Sequence, residues 1–312
     1  MEIKVIGIAG AGTMGSSMAE TFAKFGYKVV LYDLFPEQLD KARHLISLNQ
    51  KTEVNEGIIT AEESEKLIGL ISYESDISCF SGVDLLVEAI KEDLGVKQDF
   101  WSKVSAIAPA HALLASNTSG LSITKIGSVV QNPERFCGMH WINPPHLIPL
   151  IEVIMGEQSS EAAAKDIYDL SERVDKKPVI IKDAPGFALN RIQFAIMREC
   201  LYMVDEGIAS LEDIDKVMKY GLGMRYACLG PFEVADFGGL DVFYNISSYL
   251  FADLCDKKEV FSLLKEHYEK NEFGVKSGKG FYDYSGDKAD RAIINRDEMY
   301  TKIAKCLFGE EK

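Results

Sequence analysis

The feature that most constrains the fold is a glycine-rich turn between an apolar run and an amphipathic segment near the start of the chain. Residues 3–8, IKVIGI, are typical of a buried strand, and GAGTMG follows them directly. From Met14 onward apolar side chains recur at helical spacing, and residues 29–33, VVLYD, form a second apolar run. A strand, a glycine turn, a helix and a second strand together predict a βαβ unit.

The glycines of this turn match the dinucleotide-binding pattern G-x-G-x-x-G in the strand-turn-helix context that the pattern requires. We expect Gly10 to permit the tight turn, Gly12 to let a pyrophosphate approach the backbone, and Gly15 to let the helix pack on the strand. Unpaired N–H groups at the start of the helix would face the phosphates, so Thr13 and Met14 belong to the same predicted site. The alternative is a purely structural glycine turn.

An acidic residue ends the second strand, where the dinucleotide pattern places its ribose contact. Asp33 would accept hydrogen bonds from the ribose hydroxyls and repel a 2′-phosphate. The residues that follow it, Leu34 and Phe35, supply no arginine for such a phosphate. The predicted cofactor is therefore NAD rather than NADP.

Further apolar runs alternate with helical patterns and extend the predicted sheet. The strand candidates are 84–90, 112–115, 136–140, 149–154 and 178–182. Alternating strands and helices favour a mostly parallel sheet that is covered by helices on both faces. The predicted fold class is α/β, beginning with a Rossmann-type doubly wound sheet.

The character of the chain changes near Asp183, where DAPGF interrupts the pattern and strand signals end. We therefore predict a dinucleotide-binding domain over 1–183 and an all-α substrate and dimerisation domain over 184–312. Residues 187–206 are apolar on nearly every side, a pattern that is typical of a buried helix.

Composition narrows the classes of partner. The formal net charge of -14 argues against nucleic acid, since phosphate binding needs a basic face. No apolar run approaches the ~18 residues of a membrane span, and the N-terminal sequence lacks the features of a signal peptide, so we expect a cytoplasmic protein. The 6 cysteines show no C-x-x-C spacing, and no metal site is predicted.

With the nucleotide site in place, segments along nearly the whole chain resemble the L-3-hydroxyacyl-CoA dehydrogenase family. They are VEAIKEDLGVK (87–97), SNTSGLSIT (116–124), GMHWINPP (138–145), PLIEVI (149–154), APGFALNRI (184–192) and KSGKGFYDY (276–284). The resemblance implies hydride transfer between NAD and C3 of a 3-hydroxyacyl group.

The resemblance also implies a set of catalytic residues. His140 lies in the G-x-H segment as the base, and Glu152 in the V/I-E-V segment as its partner. Ser119, from S-N-T-S, and Asn190, from P-G-F-x-x-N-R, would hold the substrate oxygen and stabilise charge on it.

The same resemblance assigns further residues to binding. Glu92, Lys97 and Asn117 are expected to line the NAD site, while Asn143 is expected to support the loop on the substrate side.

A physical argument supports the histidine assignment independently. His140 ends one predicted strand and Glu152 lies in the next, with Pro144 and Pro145 forcing a non-helical connection between them. Neighbouring strands would bring the two side chains together, and a carboxylate would orient the imidazole and stabilise its cation. The alternative for His140 is a satisfied core residue. His146 follows the two prolines, in a predicted loop, and matches no family role, so we expect no function for it.

The sequence leaves the substrate open. In the acyl-CoA enzymes a basic segment after the second strand helps to bind the phosphates of CoA, whereas the matching region here, 44–65, has one lysine, Lys51, which argues against CoA. Arg225 in GLGMRYA is also unusual for the acyl-CoA enzymes. GLGMRYA and HxxNPP resemble the L-gulonate 3-dehydrogenase (lambda-crystallin) and carnitine dehydrogenase branches, in which Arg225 could bind a free carboxylate. A surface or interface salt bridge is the other interpretation of Arg225.

KSGKGFYDY favours the acyl-CoA enzymes, so the predicted substrate is a short-chain, 3-hydroxybutyryl-type CoA ester. The alternatives are a free 3-hydroxy acid and a non-catalytic, crystallin-like nucleotide-binding protein. The resemblance also implies a homodimer.

Overall fold

The computed structural model describes residues 1–55 and 57–308. Its first part is built on an eight-stranded sheet. The strands are β1 (Val5–Ala9), β2 (Lys28–Tyr32), β3 (Ile71–Glu74), β4 (Leu85–Glu88), β5 (Leu113–Ser116), β6 (Phe136–Trp141), β7 (Leu150–Met155) and β8 (Lys177–Lys182).

The strand order is β3-β2-β1-β4-β5-β6-β7-β8, and every neighbouring pair is parallel except β6 and β7. Its first six strands follow the 3-2-1-4-5-6 order of a Rossmann sheet. The five predicted strand runs from 84 to 182 all correspond to observed strands, whereas β3 was not predicted, since ISYE is short and contains two polar residues.

Helices cover this sheet on both faces. They are α1 (Thr13–Lys24), α2 (Pro36–Asn55), α3 (Ala61–Gly69), α4 (Leu94–Ile107), α5 (Ile123–Gly127) and α6 (Glu161–Arg173). Successive strand residues enter different buried clusters: Leu85 and Val87 pack in one, and Leu86 packs in the other. This alternation is what a sheet buried on both faces requires.

The chain divides into two compact units, Met1–Arg191 and a second that begins at Ile192. Helix α7 starts at the end of the first unit. The remaining α-helices are α7 (Leu189–Asp205), α8 (Leu211–Val217), α9 (Met224–Cys228), α10 (Pro231–Gly238), α11 (Leu240–Leu250), α12 (Ser262–Glu269) and α13 (Lys288–Phe308), and a π-helix, Met218–Gly223, joins α8 to α9. The predicted fold class, a doubly wound α/β sheet followed by a helical domain, is confirmed.

The prediction that the helix near 187–206 is buried is wrong for the single chain. Of the described residues of α7, only Leu201 is buried, and Phe194 is 63% exposed. The second unit has a small core around Leu201, Cys255 and Phe261, so its helices cannot cover all the apolar surface that their sequences carry. Among the described residues, no helix is long and apolar enough to cross a membrane.

Candidate active site

The glycine turn after β1 has the geometry of a phosphate cradle. Gly10 has a φ of +104°, and a Cβ there would lie 2.5 Å from the carbonyl oxygen of Ala89. A Cβ on Gly15 would lie 1.7 Å from the carbonyl oxygen of Gly10, so helix and turn can approach this closely only without a side chain. The Cβ position of Gly12 meets no atom within 4 Å, which leaves space for a ligand against the backbone.

The surroundings of this turn fit a dinucleotide. The N-cap residue of α1 is Gly12, which has no side chain to bond the free N–H groups of the first turn, the groups that bind an anion at a helix N-terminus. Thr13 is exposed and Met14 half-buried in the first turn. Asp33 follows β2, and its carboxylate accepts hydrogen bonds from the N–H groups of Ala11 (2.8 Å) and Phe35 (3.0 Å). These bonds hold the carboxylate beside the turn, with lone pairs left for ribose hydroxyls.

The antiparallel pair β6–β7 brings the histidine and the glutamate together. His140 and Glu152 are directly opposite in the strand register, so their side chains project from the same face. The Nδ1 atom of His140 lies 2.8 Å from a carboxylate oxygen of Glu152, and its Nε2 atom lies 3.2 Å from the hydroxyl of Ser119. Both His140 and Glu152 are buried, whereas Ser119 is exposed.

The second oxygen of Glu152 accepts hydrogen bonds from the backbone N–H groups of Ala188 (3.0 Å) and Leu189 (2.8 Å), where α7 begins. Burial raises the pKa of Glu152, but the hydrogen bonds from His140 and from these two N–H groups outweigh it, and the net pKa lies below the usual range. Glu152 is therefore a carboxylate that only accepts. Nδ1 of His140 must carry the proton, so Nε2 is an acceptor. It can accept a hydrogen bond from the Ser119 hydroxyl, or a proton from a substrate hydroxyl.

Asn190, in the first turn of α7, holds Ser119 from another side. Its Nδ2 atom donates to the carbonyl oxygen of Ser119 at 2.7 Å. One amide hydrogen of Asn190 is thus used within the protein, and the second remains for a substrate oxygen.

A network of charged side chains contacts residues 116–119, the segment that carries Ser119. The ammonium of Lys97 contacts carboxylate oxygens of Glu88 (2.5 Å) and Glu92 (3.2 Å), and the sequence analysis did not identify Glu88. The signal for it was a charged residue at the end of the buried strand run LLVE, because a carboxylate there needs a partner.

The remaining predicted residues are placed as follows. Asn117 is buried and accepts a hydrogen bond from the N–H of Trp141 at 2.8 Å, which joins the ends of β5 and β6. Asn143 is exposed in the connection after β6. Lys51 is exposed on α2, and Arg225 is exposed on α9 in the second unit.

Sequence analysis also missed the lysine that anchors the β6–β7 connection. Lys176 is buried, and its ammonium donates to the carbonyl oxygens of Pro145 (2.6 Å) and Ile148 (3.1 Å). Burial lowers the pKa of Lys176 to about 8. No cluster of His, Cys, Asp and Glu in the described part of the chain is arranged to hold a metal ion.

Most of these side chains follow the carboxyl ends of neighbouring strands. The glycine turn follows β1, Asp33 follows β2, Glu92 follows β4 and Ser119 follows β5, with His140 near the end of β6. In a doubly wound sheet this edge is where ligands bind. The fold and the glycine turn thus define a dinucleotide-dependent enzyme of the Rossmann type.

Comparison with known proteins specifies the family. Residues 5–184 match the model of the 3-hydroxyacyl-CoA dehydrogenase NAD-binding domain, and residues 186–284 match the C-terminal domain model of the same family. The chain belongs to the 3-hydroxyacyl-CoA dehydrogenase family, and its first domain binds NAD. The resemblance noted in the sequence and the predicted cofactor are both confirmed.

Individual relatives differ in the substrate that their names state. The chain is 35% identical over 311 residues to 5-formyl-3-hydroxy-2-methylpyridine 4-carboxylate 5-dehydrogenase of Mesorhizobium japonicum, covering 99% of this chain and 100% of that one. It is 39% identical to a probable 3-hydroxybutyryl-CoA dehydrogenase of Bacillus subtilis, covering 91% and 98%.

Solved structures show the same two groups. The crystal structure of the pyridine-carboxylate 5-dehydrogenase, described as an NAD+ dependent dismutase, has a TM-score of 0.91, with 35% identity and 99% and 100% coverage. The structure of (S)-3-hydroxybutyryl-CoA dehydrogenase from Ralstonia eutropha has a TM-score of 0.77, with 31% identity and 91% and 100% coverage.

Proposed function

We propose that this protein interconverts a short-chain L-3-hydroxyacyl-CoA, of the 3-hydroxybutyryl-CoA type, and its 3-ketoacyl-CoA, with His140 as general base. The observation that carries the proposal is the chain of contacts Glu152–His140–Ser119, at 2.8 and 3.2 Å, at the ligand-binding edge of an NAD-binding domain. When bound, NAD would supply the acceptor for the hydride that leaves the carbinol carbon of the substrate. The residues of this chain supply the proton chemistry.

His140 removes the hydroxyl proton of the substrate. Its Nε2 lone pair is available because the Glu152 carboxylate keeps the imidazole proton on Nδ1. As Nε2 takes the proton, the imidazolium forms against a carboxylate that two backbone N–H groups keep ionised. This arrangement orients the ring and stabilises its cation, as in a serine-protease triad. In ketone reduction the same proton returns from Nε2 to the oxygen.

Ser119 and Asn190 hold the reacting oxygen. A substrate hydroxyl at Nε2 of His140 would take the place that the Ser119 hydroxyl occupies, which frees that hydroxyl to donate to the substrate oxygen. The remaining amide hydrogen of Asn190 is a second donor from a side chain already fixed on Ser119. Each such donor supplies a few kcal/mol when charge develops on the oxygen.

Two features support the CoA ester. The C-terminal segment KSGKGFYDY resembles the acyl-CoA enzymes. Relatives named as 3-hydroxybutyryl-CoA dehydrogenases are 33% to 39% identical to this chain over 89% to 92% of its length.

A free hydroxy acid is the second candidate, with Arg225 on its carboxylate. Within the described residues, no carboxylate lies at ion-pair distance from the Arg225 guanidinium, which is exposed on α9. The Mesorhizobium japonicum relative, which is matched over 99% of this chain, carries a carboxylate substrate in its name. An arginine suits a carboxylate because its guanidinium can bind both oxygens.

The experiment is an NADH absorbance assay with acetoacetyl-CoA, L-gulonate and 5-formyl-3-hydroxy-2-methylpyridine 4-carboxylate in parallel. We expect oxidation of NADH with acetoacetyl-CoA, and we expect His140→Gln to lose most of that turnover while still binding NADH. Turnover only with the free acids, sensitive to Arg225→Met, would reverse the choice of substrate. A protein that binds NADH but turns over none of the three would match the crystallin-like alternative instead.

The partner that we propose is a second copy of the chain. Helices α7, α10 and α11 carry large exposed apolar side chains, among them Phe194 and Phe232, the latter 86% exposed. Surfaces of this kind are usually covered by another protein. Light scattering coupled to size-exclusion chromatography should give the mass of a dimer, and a monomer at micromolar concentration would contradict the proposal.

A further inference from the structure

The turn that leads from β8 into α7 contacts three residues of the proposed site. We call residues 183–190 the α7 turn. The ring centroid of Phe187 lies 5.7 Å from that of the His140 imidazole, and two backbone N–H groups of the turn donate to Glu152. The side-chain amide of its last residue donates to the carbonyl oxygen of Ser119 at 2.7 Å. The conformation of the α7 turn therefore affects the whole set of proton-transfer groups.

The backbone of the α7 turn is strained at its centre. Gly186 has a φ of +76° and Phe187 a φ of +51°, so two consecutive residues lie in the left-handed region. Glycine adopts this region freely, but a bulky side chain rarely does. Phe187 is also buried, and such a conformation persists only where the surrounding structure holds it. The turn must therefore be fixed at both of its ends.

Asp183 holds the start of the turn. One of its carboxylate oxygens accepts from the hydroxyl of Ser122 (2.6 Å) and from the N–H of Thr124 (2.9 Å), where α5 begins. Its own N–H donates to the carbonyl oxygen of Met155, at the end of β7, at 2.9 Å. Burial raises the pKa of Asp183, but these hydrogen bonds lower it further, so the carboxyl is ionised at neutral pH. The charge makes the bonds to α5 stronger than bonds between neutral groups.

We propose that Asp183 is a positioning residue for catalysis: it fixes the α7 turn on α5 and thereby places two N–H groups of the turn on Glu152, the carboxylate that orients His140. The inference rests on the function proposed above. Without the carboxylate of Asp183, the left-handed residues can relax and draw the N–H groups away from Glu152. The imidazole of His140 would then lose its fixed orientation, although no group that touches the substrate has been changed.

A double-mutant cycle tests the inference. Asp183→Ala, Glu152→Ala and the double variant are compared with the wild type for kcat and for NADH affinity by fluorescence titration. If Asp183 acts through Glu152, Asp183→Ala lowers kcat about tenfold in the wild type but less than about twofold in Glu152→Ala, because coupled residues are not additive. NADH affinity should stay within about threefold of the wild type. Asp183→Asn keeps an oxygen that accepts from α5 and should restore most of the lost kcat.

Two outcomes would overturn the proposal. An equal loss of kcat in both backgrounds would show that Asp183 acts independently of Glu152. A loss of NADH affinity as large as the loss of kcat would show that the substitution disturbs the cofactor domain as a whole. The matched control is Asp76→Ala, because Asp76 also follows a strand, β3, and accepts a hydrogen bond from a backbone N–H, that of Ser78, at 2.8 Å. It should change neither quantity.

Ser122→Ala keeps the test decisive if Asp183→Ala does not fold. It removes one of the two hydrogen bonds to Asp183 from the side of α5, and the same dependence on Glu152 is expected. A measurement that needs no turnover is the pH titration of the His140 imidazole resonances. Asp183→Ala and Glu152→Ala should each shift that titration, and the double variant should shift it no further than Glu152→Ala alone. An inactive wild type would therefore refute the proposed function, while additive shifts would refute the positioning role separately.

Discussion

Replacing Glu152 by glutamine tests the base assignment most directly, because the change keeps the shape of the side chain and removes its charge. In the structure one oxygen of Glu152 accepts from the N–H groups of Ala188 and Leu189. The amide oxygen of a glutamine would take that place, and its NH2 group would then face Nδ1 of His140. Because this NH2 group only donates, Nδ1 must give up its proton and Nε2 must carry it. An imidazole in that tautomer cannot accept the substrate proton.

The expected loss has two contributions. A hydrogen bond to a charged group contributes about 1.5–3 kcal/mol, which corresponds to roughly 10- to 150-fold in rate. The wrong tautomer adds to this, and the equivalent acid-to-amide change in a serine-protease triad lowers kcat by about 10⁴-fold. For Glu152→Gln we therefore expect kcat for alcohol oxidation at neutral pH to fall by roughly 10³- to 10⁴-fold.

The assay is the formation of NADH from NAD and 3-hydroxybutyryl-CoA, with NADH affinity measured in parallel. Glu157→Gln is the matched control, since Glu157 is exposed just after β7 and its charge lies outside the site. Affinity for NADH should be unchanged in both variants. A kcat within about tenfold of the wild type in Glu152→Gln would refute the assignment of His140 and Glu152 as a catalytic pair.

Other predictions concern the cofactor turn and the buried ionisable groups. Asp33→Ala should narrow the preference for NAD over NADP, and an unchanged ratio of the two affinities would count against its ribose contact. Gly12→Ala should fold and bind NADH weakly, whereas Gly15→Ala should lower the melting temperature, because its Cβ would meet a backbone oxygen at 1.7 Å. The pKa of Glu152 is lower in the folded protein than in the unfolded chain, where it is about 4.3, so this carboxylate contributes its full stabilisation only above pH ~4.3. The free energy of unfolding of the wild type relative to Glu152→Gln should therefore fall as the pH drops below that value. Burial lowers the pKa of Lys176 to about 8, so between pH ~8 and ~10.4 the unfolded chain binds more protons than the folded one. The free energy of unfolding of the wild type, measured by chemical denaturation relative to Lys176→Met, should therefore rise by up to about 3 kcal/mol across that window.

Most of the sheet could be predicted from the sequence because its strands are buried on both faces. Such strands are continuous apolar runs, as LLVE and LLAS show for β4 and β5. β3 was missed because ISYE lies at the sheet edge, where a polar residue costs little. The burial of α7 was wrongly predicted because periodicity reports which residues are apolar and not what covers them.

The candidate site could be predicted in part. The resemblance identified His140 and Glu152, and the strand pattern made their pairing plausible. The sequence did not predict Glu88, and it did not predict the hydrogen bonds that the N–H groups of Ala188 and Leu189 donate to Glu152. Those contacts join residues that are 9 to 37 positions apart, and no local pattern in the sequence records them.

The glycine turn and the acidic end of β2 were determined by the sequence itself, because φ preference, Cβ sterics and apolar runs act within a few residues. The strand register that sets His140 opposite Glu152, and the packing that encloses Lys97 between two carboxylates, were decided only by the tertiary structure. The physical reason is that a charge-stabilised contact between distant residues depends on how strands and helices pack together, and packing is a property of the whole domain rather than of any segment.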